Sequence, residues 1–231
     1  MKSMSLRGSR KGQSGFTLVE IAIVLVIIGL LLGGVLKGQE LIENAKIKNL
    51  ANDIRGVSTA YYTYIDRYRA LPGDDVGAST RFTGAQNGGG DGSIAGLYSA
   101  APGTLAATTE SNNFWQHLRL SGLVSGTGFL PPTHALGGLL GVQSNISAPG
   151  NSTFGMTGPV VCAGSVPWKV AQAVDTLLDD GDSATGNLRA GASSATVSNA
   201  ATAAATNAVY GPAVAATAAL EAGRHTICSK L

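Results

Sequence analysis

Charge is scarce in this chain. Only 13% of its 231 residues are Asp, Glu, Lys or Arg, about half of the roughly 25% usual in soluble domains. That shortage excludes a highly charged, self-repelling disordered chain, and equally a chain that is coiled coil throughout, whose flanking positions are normally charged. Cysteine is limited to Cys162 and Cys228, too few for a disulfide-dense scaffold or a four-cysteine metal site. The three histidines, His117, His134 and His225, lie far apart, and neither H-E-x-x-H nor G-x-S-x-G occurs, so no metalloprotease or serine-hydrolase signature is present. Proline is absent before Pro72, which leaves the first third of the chain free to be helical. Gly and Pro together make 40 residues, below the roughly 25–30% that marks low-complexity chains. The length allows one or two domains with a core.

A basic excess is also missing once the charge is located. Residues 1–15 carry Lys2, Arg7, Arg10 and Lys11 and no acid; the remaining 216 residues hold 12 basic and 14 acidic side chains. A nucleic-acid footprint needs a basic patch on the folded domain. This chain has none, and no nucleic-acid partner is expected.

What the chain does have is an apolar run. Residues 16–36, FTLVEIAIVLVIIGLLLGGVL, contain one ionisable side chain, Glu20, and meet the length of about 20 residues needed to cross a bilayer. Basic residues precede the run and none follows before Lys37. That bias places the N-terminus in the cytoplasm and everything after Lys37 in the periplasm or outside. A secretory signal peptide is the competing reading, but its apolar stretch is only about 7–15 residues and ends in a small-x-small cleavage site, which GVLKGQE does not offer.

Glu20 is the anomaly in this run. A carboxylate near the centre of a spanning helix costs roughly 2.5–3.5 kcal/mol on insertion scales, so it calls for a partner. If it sits near the interface instead, water serves as that partner. No cation lies in the helix before it; a cut between Gly15 and Phe16 would create one by freeing the Phe16 amino group.

Gly15-Phe16-Thr17-Leu18-Val19-Glu20, after a short basic leader and before an apolar run, resembles the processing site of type IV prepilins and type II secretion pseudopilins. The resemblance is clear over residues 8–70. It implies cleavage after Gly15 and N-methylation of Phe16 by a membrane prepilin peptidase. It also implies that Glu20, with Thr17 beside it, acts in assembly, Glu20 pairing with the Phe16 amine of a neighbouring subunit. Physically, an uncompensated carboxylate in a low-dielectric filament core is costly, and a neighbouring ammonium relieves it only when the subunits are in register. Many type IV pilins carry a helix-loosening proline in this stretch. Here Gly29, Gly33, Gly34 and Gly38 stand in the helix instead, each costing about 1 kcal/mol relative to alanine; they either allow local melting or serve close packing.

The helix is expected to continue past the membrane. Ile47, Leu50, Ile54, Val57, Tyr61, Tyr64 and Tyr68 recur at alternating spacings of 3 and 4, one face of a continuous helix. Three tyrosines on that face suit packing on the chain's own head better than a two-chain seam. The helix should stop near Arg69, because Pro72 disfavours helical backbone just before it. Residues 16–69 would then span about 80 Å at 1.5 Å per residue.

The remaining residues, 70–231, form the expected head, with 6 basic and 9 acidic residues. Residues 111–124 read as a short amphipathic helix capped by Ser111 and burying Phe114, Leu118 and Leu120. A second helix is expected from Pro167 to Leu178, with Pro167 in its first turn. Strand candidates are Leu139–Ile146, Pro159–Cys162, Gly186–Ala190 and Arg224–Cys228. The fold class is therefore α+β: a long N-terminal helix packed on a small antiparallel β-sheet head. Residues 190–220, an Ala/Thr/Ser tract, carry no firm pattern. Gly90-x-Gly92-x-x-Ala95 matches a dinucleotide motif in letters only, since no strand precedes it; a loop is expected.

Cys162 and Cys228 fall on the side predicted to be oxidising, which favours a disulfide; two buried free thiols are the alternative. In pilins a C-terminal disulfide loop often forms part of the exposed surface, and the resemblance implies the same here. Asp179, Asp180 and Asp182 are weak calcium candidates, as are Asp74 and Asp75. Calcium takes six to eight oxygen ligands, but plain turn chemistry explains Asp and Gly equally well. No other cofactor is expected.

Taken together, the residues imply a structural subunit rather than an enzyme. As a pilin-like protein it would be held in the bacterial inner membrane by one helix. A cytoplasmic ATPase and membrane assembly platform would then polymerise it with copies of itself and minor pilins into an extracellular or periplasmic filament. Major pilin, minor pilin and secretion pseudopilin share these features. The rival class is a periplasmic binding domain that uses residues 16–36 only as an anchor.

Overall fold

The computed structural model describes residues 17–98, 109–144, 156–192 and 224–231. Within them four helices and four strands follow one another: α1 (Leu18–Tyr68), α2 (Ala78–Arg81), α3 (Glu110–Leu120), β1 (Leu140–Ser144), β2 (Pro159–Pro167), α4 (Trp168–Leu178), β3 (Leu188–Ala192) and β4 (Arg224–Lys230). The chain divides into two compact units, Met1–Glu43 and Asn44–Leu231, and the boundary falls inside α1. Most of the 190–220 tract lies outside the described residues.

In the second unit, α1 does what its 3-and-4 spacing dictates. Leu50, Ile54, Val57, Tyr61 and Tyr64 are buried, and Ile47 and Tyr68 pack at the edge of the same cluster. The stripe therefore faces its own head and not a partner helix. Burying one such side chain contributes roughly 1.5–3 kcal/mol, so this seam is a substantial part of the unit's core. Arg69, at φ 55°, turns the chain out of the helix, ahead of Pro72 as expected.

The four strands form one antiparallel sheet in the order β1-β2-β4-β3. Alternate residues, among them Leu140, Val142, Val161, Ala163, Leu188, Ala190 and Ile227, join α1, α3 and α4 in the main core. The opposite face holds a smaller cluster of Tyr98, Met156, Val160, Cys162 and Cys228. The architecture is thus α+β and pilin-like, a long N-terminal helix with a small antiparallel sheet. A one-residue bulge interrupts β2 between Ala163 and Val166. It carries Ser165 at φ 57° and frees the Gly164 carbonyl to accept a hydrogen bond from His134 Nε2, at 2.8 Å.

Several local expectations need correction. The N-cap of α3 is Thr109, not Ser111; Ser111 lies in the first turn, where its amide donates to the Ala95 carbonyl and its hydroxyl to that of Leu97. Phe114 and Leu118 are buried, but Leu120 is exposed. The helix stops there because Gly122, at φ 73°, adopts the left-handed conformation. The Gly122 and Leu123 amides then bond back to Arg119 and Leu118, a Schellman ending. Pro167 ends β2 and precedes α4 instead of opening it. The short helix α2 carries no apolar period and was not readable in the sequence.

Cys162 and Cys228 are joined in a disulfide with Cα atoms 4.0 Å apart. They face each other directly across β2 and β4, and both are buried. The bridge itself staples two neighbouring strands within the sheet; residues 193–223 of the loop it closes, whose exposure the pilin resemblance implies, lie outside the described residues. The bridge closes a loop spanning 66 positions, for which the chain-entropy relation gives about 4 kcal/mol. Replacing both cysteines by alanine is expected to lower the stability of the detergent-solubilised protein by that order. Denaturant titration with and without reductant measures the loss.

Candidate functional site

The first turn of α1 is built from Thr17 and Glu20. Thr17 donates both its backbone N–H and its hydroxyl to Glu20 Oε2, at 2.8 and 2.7 Å, and the Glu20 amide donates back to Thr17 Oγ1 at 3.3 Å. This is a capping box, in which residues three apart satisfy amide groups that the first turn leaves without intrahelical acceptors. Thr17 and Glu20, both singled out in the sequence, are thus brought together. Both hydrogen bonds land on one carboxylate oxygen, and among the described residues no cation approaches the other. A carboxylate held this way is oriented and half-satisfied, and it remains able to take a cation from outside the chain. Gly15 and Phe16 lie outside the described residues.

Beyond this turn no described residue of the first unit covers the helix. Leu18 is 86% exposed and Leu30 74%, and Ile21, Leu25, Ile28, Leu32 and Leu36 are exposed as well. A contiguous apolar surface of this extent needs lipid or other protein around it. Among the described residues, α1 is the one helix long and apolar enough to cross a membrane. Lys37 forms an exposed ion pair with Glu40 at 2.8 Å, which ends the uncharged stretch. Gly29, Gly33, Gly34 and Gly38 have open space where a side chain would stand, so nothing among the described residues requires glycine there.

The acidic loops behave as turn chemistry. Asp175, Asp179 and Asp180 can each offer an oxygen within 4.8 Å of the others, whereas Asp182 is not part of that group. Their oxygens are already engaged: Asp175 accepts from the Gly181 amide, Asp179 from those of Asn187 and Leu188, and Asp180 from the Asp182 amide and the Thr185 hydroxyl. Calcium would have to share Asp175 Oδ1, Asp179 Oδ2 and both Asp180 oxygens with these donors. Asp74 and Glu110, missed as a pair because 36 positions separate them, clamp the glycine loop between them. Asp74 accepts from the amides of Gly90, Asp91 and Gly92, and Glu110 from those of Gly89 and Ala95. The loop passes so close that a Cβ on Gly88 would lie 2.3 Å from the Gly73 carbonyl oxygen and from Asp74 Cα. Gly90 to Ala95 is thus an irregular loop, in line with the rejection of a dinucleotide motif. Asp75 is buried and binds Tyr64, Arg81 and the Gly77 amide. Burial alone would raise its carboxyl, but these partners outweigh it and hold the group below the usual carboxylate range.

Two histidines sit in the head as neutral structural posts. His117 Nδ1 accepts from the Gly73 amide at 2.9 Å, so its Nε2–H donates to the Gln86 carbonyl at 2.7 Å. His134 accepts from the Leu136 amide and donates to Gly164. They lie on separate elements and form no metal site with each other.

With this geometry in place, comparison with known proteins adds one finding. Residues 10–36 match the family described as Prokaryotic N-terminal methylation motif. The segment therefore carries the type IV pilin and pseudopilin signature. Proteins with this motif are structural subunits, processed by a prepilin peptidase and assembled with pilin-like partners. Comparison with the curated proteins and with the solved structures finds no match. The motif and the apolar helix fit a pilin-like or pseudopilin subunit and agree with membrane anchoring.

The histidines give a pH prediction. Burial pushes the pKa of both below the ordinary 6.5, against the opposing pull of the carbonyls that they bind. The unfolded chain then takes up protons more readily than the folded one, so stability is complete above about pH 6.5 and falls as the pH drops below that value. Melting temperature measured from pH 8 to pH 4 is expected to be flat and then decline. The variant carrying His117→Gln and His134→Gln should melt lower throughout and lose part of that slope.

Proposed function

We propose that this chain is a structural subunit of a type IV pilus-like filament. Residues 1–15 are a leader removed by a prepilin peptidase after Gly15, with methylation of Phe16. Residues 16–69 are the assembly helix, spanning the inner membrane at 16–36 with the N-terminus cytoplasmic. Residues 70–231 are the periplasmic or extracellular head. Polymerisation replaces lipid around the apolar half of α1 with the same half of other subunits. The Phe16 amine of a neighbour then reaches the carboxylate that Thr17 holds in place, which sets register more than it adds stability.

The observation that carries this reading is the methylation motif on a helix whose large apolar side chains from Leu18 to Leu36 lie open. A soluble enzyme with a buried core has no use for that surface. A secretion pseudopilin is the second reading within the same class. The disulfide favours a pilin. No enzymatic role is proposed for the head.

Two measurements test the proposal. The mass of the protein recovered from sheared surface filaments should equal that of residues 16–231 plus one methyl group; an intact Met1 would assign α1 to plain anchoring of a periplasmic domain. Glu20→Ala, expressed without the wild-type chain, should insert in the membrane at normal levels and be lost from filaments. Its efficient incorporation would remove the registry role.

A further inference from the structure

Between α1 and the turn after α3 lies a cleft of about 370 Å³, within the range of pockets that hold a ligand or an inserted side chain. Val57, Trp115, Val124 and Leu140 give it apolar walls, and Asp53 is the only charged side chain lining it. Asp53 is exposed on the cleft, and two further features lie beside it. The Asp53 carboxylate makes no hydrogen bond or ion pair among the described residues; partial burial raises its pKa, against a weaker opposing effect of His134. Gly56 stands in the helix interior, where glycine costs about 1 kcal/mol relative to alanine, although nothing lies within 4 Å of its missing Cβ. The indole N–H of Trp115, a buried residue, finds no acceptor among the described residues.

Unmatched charge of the opposite sign sits on the same helix. Lys46 and Lys48 are exposed, and neither is among the ion pairs of the described residues. Seven residues separate Lys46 from Asp53, about 10 Å along one helix, so they face the same side without pairing in one chain. Lys48, also exposed, stands five positions before Asp53 and about 140° round the helix from it, so it points back towards a parallel copy whose Asp53 faces it, and an axial offset of about 8 Å brings the two level.

We propose that this cleft receives Lys48 of a second copy of this chain. The methylene stem lies along Leu123 and Val124, the half-buried apolar side chains of its lining, as long cationic side chains commonly do on apolar surface, and the ammonium meets Asp53. The open space over Gly56 lets the second backbone come close. The proposal rests on the filament reading, which brings copies of the chain together, and adds to it a specific contact between heads.

The test places a photoreactive benzophenone amino acid at position 52, on the rim of the cleft, in the full-length chain in cells that assemble it. Irradiation is expected to give a two-copy adduct whose cross-linked peptide contains Lys48. Asp53→Lys should lower its yield about tenfold, the equivalent of 1.4 kcal/mol, without lowering the melting temperature. Adding Lys48→Asp to the same chain should restore it. Gly56→Leu should also abolish the adduct by filling the cleft. An adduct to lipid, to another protein or to a different stretch of this chain overturns the proposal, as does no adduct from chains that have lost residues 1–15 and entered filaments. If the chain instead retains Met1 and forms no filament, the functional reading fails and this inference with it.

Discussion

The burial of one stripe of α1 against the sheet and α3 is the contact on which the rest of the head depends. Leu50, Ile54, Val57, Tyr61 and Tyr64 are fully enclosed, and the loops around them are placed by what these side chains leave unsatisfied. The Tyr64 hydroxyl needs an acceptor and finds Asp75 at 2.7 Å. Asp75 in turn recruits Arg81, which fixes the segment after Pro72. His117 stacks on the Tyr64 ring, at 6.1 Å between centroids, and ties down both Gly73 and Gln86. A chain this poor in charge has few ion pairs with which to order its loops. It uses buried carboxylates and imidazoles to collect backbone amides and carbonyls instead.

The same helix faces a different solvent in its first half. There the apolar residues occupy every side, and no described residue of the first unit covers them. The change comes near Lys37 and Glu40, where charge first returns to the helix surface. Residues on one side of that point need lipid or other subunits; those on the other need only their own head. A helix that is apolar all round and one that is apolar along a single stripe are distinguishable by period alone, which is why both halves of α1 were readable without coordinates.

Other features were readable for equally local reasons. The four strands appeared as short β-prone runs between glycine-rich turns, and each was found close to its expected position. Thr17 and Glu20 stand three apart, the spacing of a capping box, so their contact follows from helix geometry. The residues that sequence reading missed act across long separations. Glu110 and Asp74 meet around a glycine loop that neither borders in sequence. Thr109 caps α3 in place of Ser111, because Ser111 is drawn instead to the Ala95 and Leu97 carbonyls. Pro167 is tolerated in the first turn of a helix, so the sequence points to a helix start there, whereas the pairing of β2 with β4 extends the strand to include it.

The sequence by itself determined that one long helix would begin at a processing motif, lose its uniform apolarity near Lys37 and end before Pro72. These are properties of neighbours three, four and seven positions apart, which any helix brings together. Tertiary structure alone decided that the two cysteines face each other inside the sheet, that the 179–188 acids cap their own turn, and that Asp53 and Trp115 share an open cleft. Each depends on which strands become neighbours and which loops fold over them. Such choices are made by the whole core at once, and no local window of sequence contains them.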